Sequence, residues 1–114
     1  MELSAHISTI GSCPVVSLTG EIDMATLPQL HNVLTRAIFE HRTATVIVDL
    51  DGVVVCDDAG LGVLLGAAGR ARESDGDLVV VCSVGPLRSR LTRTGFDRAI
   101  MVTDTAAAAI ADIG

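Results

Sequence analysis

The chain has 114 residues, 49% hydrophobic and 19% charged, with a formal net charge of −6 and a pI near 4.7. Enough apolar side chain is present for one packed domain, so disorder is excluded. An acidic chain whose only aromatics are Phe39 and Phe96 repels phosphate backbones and offers bases no stacking platform, so no nucleic-acid partner is expected.

Leu3 to Ile10 alternates weakly and predicts an edge strand, followed by a turn at Gly11-Ser12. The first eleven residues carry neither the basic nor the apolar region of a signal peptide. Val15 to Leu18 predicts a short strand closed by Thr19-Gly20. Thr26 and Gln29 have capping-box spacing, with Pro28 tolerable in the first turn of a helix. Leu27, Leu30, Leu34, Ala37 and Ile38 then share one helical face, and Gln29, Asn32, Arg36 and Glu40 fill the other. Val46 to Leu50 and Leu78 to Cys82 have the apolar, β-branched character of strands buried on both faces. Between them, Gly60 to Glu73 is long enough for a crossover helix. Pro86 to Thr94 predicts a further helix ended by Gly95, Ala99 to Val102 a last strand, and Thr105 to Ile113 a helix capped by Asp104. The order β-β-α-β-α-β-α-β-α implies an α/β fold in one domain over residues 1–114. Its sheet is mixed but mainly parallel, with four to five strands and about four flanking helices. No apolar run approaches the ~18 residues of a membrane span, and the chain reads as soluble and cytoplasmic.

The most unusual stretch runs from Val53 to Gly66. Two adjacent carboxylates, Asp57 and Asp58, follow an apolar run and precede a glycine-punctuated helix. Carboxylates at a helix N-terminus are favoured by about 0.3–1 kcal/mol each, so a simple cap accounts for them as well as a site does. Gly62, Gly66 and Gly69 each cost about 1 kcal/mol relative to Ala inside a helix. Either this helix packs very close to the sheet, the commoner cause, or another chain approaches it closely.

Three blocks, Gly20-Glu21-Ile22-Asp23, Val46-Ile47-Val48-Asp49-Leu50 and Asp57-Asp58-Ala59-Gly60-Leu61-Gly62, resemble the signature of STAS domains in bacterial anti-sigma factor antagonists. Ser83 to Gly95, with Pro86, Leu87 and Leu91, is similar to that family's third helix and following turn. The resemblance covers nearly the whole chain and implies a STAS-like domain. It also implies a binding protein with no enzymatic activity and no cofactor. The expected partner is an anti-sigma factor, usually a serine-kinase-like ATP-binding protein, whose capture frees a sigma factor. In the family the kinase phosphorylates the hydroxyl residue after the motif aspartate. Here Asp57 matches that aspartate, Asp58 stands at the phosphorylated position, and Ala59 replaces the next hydroxyl residue. The usual phospho-switch therefore has no acceptor in the motif. The implied partner surface comprises Asp23, Asp57, Asp58, Ala59, Gly60, Leu61 and Gly62. Asp58 carries about one negative charge against roughly 1.5–2 for phosphoserine, so any mimicry of the modified state is incomplete. It either leaves binding constitutive or holds the released state. Related domains also serve as partners in lipid transport, ABC transport and stress-sensing complexes, which is the alternative function.

Cys56 and Cys82 both fall near the carboxyl ends of predicted parallel strands. If those strands are neighbours, they lie within disulfide reach and form a redox pair beside the motif; otherwise both are small buried hydrophobes. His6, His31 and His41 are too scattered to gather a metal. Arg88, Arg90, Arg93 and Arg98 form a basic cluster that reads as a solvated face or as helix C-terminal caps. A contact for an acidic patch is the other reading. All eight cations are Arg, and the absence of Lys removes both a response-regulator receiver and a P-loop enzyme. The spacing of Gly60, Gly62 and Gly66 departs from the dinucleotide fingerprint, and the two aspartates would repel a pyrophosphate.

Overall fold

The computed structural model describes residues 2–113; residues 1 and 114, which the predicted domain boundaries include, lie outside the described residues. Ten elements follow one another: β1 (Leu3–Ile10), β2 (Cys13–Ile22), α1 (Leu27–Glu40), β3 (Thr45–Cys56), α2 (Asp58–Glu73), β4 (Asp77–Val81), α3 (Pro86–Arg93), α4 (Phe96–Ala99), β5 (Val102–Thr103) and α5 (Ala106–Ile113). The sheet runs β1-β2-β3-β4-β5. β1 is antiparallel to β2, and the remaining neighbours are parallel. The α/β class and the mixed, mainly parallel sheet are those the sequence predicts, and so is the order of elements except for the short α4, a fifth helix where about four were expected.

The parallel strands are apolar on both faces, and each face has its own core. Val16, Leu18, Ile22, Val46, Val48, Leu50, Leu78 and Val80 meet the buried stripe of α1, the inner face of α2, Leu91 and Phe96. On the other face Cys13, Val15, Ile47, Val79 and Val81 pack on Ala109 of α5. Among the described residues, one short helix thus guards one face and all the others guard the opposite one.

Several boundaries differ from the sequence expectation, each for a tertiary reason. β2 continues through Thr19-Gly20 instead of turning there. Gly20 adopts φ +114, and a Cβ on it would stand 2.2 Å from the Glu2 carbonyl oxygen. This glycine therefore serves a close backbone approach and not a turn. β3 likewise runs on through Asp51-Gly52 to Cys56. The Thr26–Gln29 capping box does not form. Thr26 Oγ1 donates to the Glu21 carbonyl at 2.9 Å and accepts from the Asp23 N–H at 2.9 Å, while Gln29 Nε2 donates to the Leu3 carbonyl at 2.6 Å. Thr105, not Asp104, caps α5, its hydroxyl accepting from the Ala108 N–H at 3.0 Å. Asp104 is held instead by Arg88. Residues 96–99 coil into α4, so the last strand is only Val102–Thr103.

Candidate functional site

The parallel register brings the ends of β2 and β3 side by side, with Glu21 beside Val55 and Ile22 beside Cys56. The Asp57 N–H then donates to the Ile22 carbonyl at 3.1 Å, which fixes where β3 stops. Asp57 is extended and caps α2, its carboxylate accepting from the Gly60 N–H at 3.0 Å. Gly60 is buried against the sheet; a Cβ there would lie 2.4 Å from Ile22 Cγ2 and 3.1 Å from Cys56 Sγ. Leu61 is buried as well. Gly60 therefore shapes the helix entrance from below, and Leu61, though buried, reaches the surface only where it lines a groove beside the entrance.

Asp58, in the first turn of α2, points outward with its side chain 88% exposed, and it pairs with Arg90 of α3. Arg90 also donates to the Cys56 carbonyl, the last of β3. Arg88 does the same for β4, donating to the Cys82 carbonyl at 2.8 Å and to Asp104 at 2.5 Å. Two members of the arginine cluster thus cap strand ends and carry an aspartate each, which departs from the solvated face read in the sequence. Asp23 shapes the turn before α1: its carboxylate accepts from the N–H groups of Ala25 and Thr26 at 2.9 and 3.1 Å.

Two shallow grooves flank the Asp58–Arg90 pair. One, of about 480 Å³, runs between α2 and the α3–α4 corner and is lined by Leu61, Gly62, Leu65 and Phe96 among others. The second, of about 310 Å³, lies between Val54, Val55, Pro86, Leu87 and Arg90. Met24, Val54, Val55 and Leu65 are all exposed. A neutral ion pair set between apolar grooves suits protein contact better than small-molecule chemistry.

Gly62, Gly66 and Gly69 do not pack on the sheet. A Cβ at Gly62 or Gly69 would meet nothing within 4 Å, and one at Gly66 only an Arg70 nitrogen at 3.6 Å. Of the two causes read from the sequence, close intramolecular packing applies to Gly60 alone. The Cys56–Cys82 pairing also falls. Asp49 lies beside Val81, so Cys82 follows beside Leu50, six residues before Cys56, or roughly 20 Å of extended chain. Both thiols are free and buried. Burial pushes Cys56 up to about 11, against the partial pull of Arg90, and burial together with the Asp51 charge raises Cys82.

The pairing of Arg90 with Asp58 and the exposed apolar residues around it escape sequence reasoning. Nothing in spacing joins position 58 to position 90; only the parallel crossover sets α3 beside the end of β3. Among the described residues no His, Cys, Asp or Glu group of three or more is placed to hold a metal ion, and no helix is long and apolar enough to cross a membrane.

The model of the STAS domain matches residues 4–109. The anti-sigma-B factor antagonist of Staphylococcus aureus is 30% identical over 81 residues, which cover 71% of this chain and 74% of that protein. Among solved structures, an anti-sigma factor antagonist from Mycobacterium paratuberculosis superposes with a TM-score of 0.88 at 24% identity, over 97% of this chain and 93% of that one. A sulfate transporter family protein from Wolinella succinogenes gives 0.74 at 20% identity, over 91% and 86%. With a family model matched over nearly the whole chain and a curated relative at 30% identity, the chain belongs to the STAS domain family, that of the bacterial anti-sigma factor antagonists.

Proposed function

We propose that the chain is an anti-sigma factor antagonist that binds an anti-sigma factor of the serine-kinase-like, ATP-binding kind and so frees a sigma factor for transcription. The observation that carries this reading is the exposed Asp58 at the mouth of α2, at the position where the family's phosphorylated serine stands. Contact falls to Asp58, Ala59 and Gly62, which are exposed, with Met24, Val54, Val55 and Leu65 around them. Asp23 and Asp57 hold the turn and the helix entrance in shape beside this surface. Serine phosphorylation does not regulate the motif, because positions 57 to 62 carry no hydroxyl.

Arg90 decides between the two roles open to Asp58. A phosphoserine brings close to two negative charges, whereas here a guanidinium offsets a single carboxylate, so the local charge is near zero. That favours the binding-competent state over a permanently released one. Titration calorimetry with purified anti-sigma factors from the same genome tests the proposal. Submicromolar binding to one of them, weakened at least about tenfold by Asp58→Lys, supports it. Equal binding of the two proteins removes the helix entrance from the interface. The likeness to a transporter-family domain leaves a transport-complex subunit as the second reading, and binding to a permease instead of any anti-sigma factor would favour it.

A further inference from the structure

β1 is the outer strand of the sheet, paired with β2 along its whole length and, among the described residues, with no strand on its other side. The register fixes which of its backbone groups stay open. The Glu21 N–H donates to the Glu2 carbonyl at 2.9 Å, so Glu2 and Glu21 form a bonded pair. Bonded and non-bonded pairs alternate in an antiparallel ladder. The even-numbered residues of β1 therefore bond β2, and the N–H and C=O groups of Leu3, Ala5, Ile7 and Thr9 point away from the sheet. The Leu3 carbonyl is already taken by Gln29 Nε2. Ala5, Ile7 and Thr9 are left with three donors and three acceptors facing outward.

Proteins ordinarily guard such an edge with Lys, Pro, a bulge or an inward charge. β1 has none of these: its eight residues include no proline and no Asp, Glu, Lys or Arg, and its register runs without a shift. The opposite edge, β5, is two residues long. Charge is also missing from the neighbouring surface. No Asp, Glu, Lys or Arg occurs from Leu3 to Gly20 or from Met24 to Thr35, so β1 and the first two turns of α1 lack these residues in a molecule of net charge −6.

We infer that this edge pairs antiparallel with the same edge of a second copy, about a two-fold axis through Ile7. With Ile7 opposite its own counterpart, Ala5 falls opposite Thr9 of the second copy. All six outward donors of the two chains then meet the six outward acceptors; any other register leaves some unmatched. On the face away from α1, His6 lies opposite Ser8 of the second copy, and Ser4 opposite Ile10. On the helix side, the groove of about 500 Å³ between β1 and α1, lined by Ala5, Pro28, Asn32 and Val33 and, as its one charged residue, Arg36, is covered by the matching flank. Charge selects a second copy as the occupant. No Asp, Glu, Lys or Arg stands on β1, so the two strands meet across the two-fold without such charges opposed, although the molecule as a whole is acidic.

Sedimentation equilibrium of the intact chain tests the inference, with a reversible dimer as the expected result. His6→Glu/Ser8→Glu sets like charges opposite each other twice and should weaken association about tenfold. His6→Lys/Ser8→Glu sets opposite charges at the same places and should restore it. Both side chains are exposed, so unchanged unfolding midpoints in the two variants separate lost pairing from lost folding. A native monomer at every concentration overturns the inference and leaves the edge to a strand of another protein. A dimer equally strong in both variants overturns it as well, since another surface then holds the copies together.

Discussion

A methyl group added at Gly60 would stand 2.4 Å from Ile22 Cγ2, while one added at Gly62 would meet nothing within 4 Å. Gly60→Ala should therefore lower stability by about 1–3 kcal/mol through overpacking, and Gly62→Ala should raise it by up to about 1 kcal/mol through helix propensity. Urea unfolding of the two variants reads both signs. If Gly62 exists to let another chain come close, its alanine variant binds the proposed anti-sigma partner less tightly although it is the more stable protein. The glycines are conspicuous in the sequence, but propensity alone does not say which backbone has a neighbour. Cys56 shows the same limit: its strand-end position is legible, its distance from Cys82 is not. With its folded pKa near 11 against 9.0 for the ordinary thiol, Cys56 contributes stability that is whole below about pH 9. That contribution is lost as pH rises toward 11, because the unfolded thiol ionises first. Cys56→Ala should flatten the decline of the urea midpoint over that range.

Among the elements, helices and central strands were readable because their periodicity follows from burial. Leu30, Leu34, Ala37 and Ile38 are all buried on one face of α1. Ends were not readable where they depend on distant backbone, as when Thr26 reaches the Glu21 carbonyl and Gln29 the Leu3 carbonyl. The position of α3 belongs to the same class, because Arg90 fastens it to the last carbonyl of β3 and to Asp58. Arg90→Ala should cost about 1 kcal/mol through the lost carbonyl bond; the exposed ion pair adds little. Its larger effect falls on binding. With the guanidinium gone, Asp58 presents its full charge, and affinity for the proposed anti-sigma partner should drop, whereas the double variant Asp58→Ala/Arg90→Ala should recover much of it. A double-mutant cycle by calorimetry checks this coupling.

At the scale of the molecule, alternating strands and helices were enough to give a mainly parallel sheet, since short connections and right-handed crossovers leave few other arrangements. The pattern does not reveal how unevenly the two faces are covered. Val15, Ile47, Val79 and Val81 form an apolar strip across three adjacent strands, beneath Ala109 of α5. Eight residues, Ala106–Ile113, make up that helix, so its shielding is separable from the larger core on the opposite side. A chain cut after Asp104 should keep its native far-UV signal apart from one lost helix, yet sediment as large particles. The strip should stay dry only while α5 lies over it, so bulky cargo fused to that helix should loosen the cover and promote aggregation.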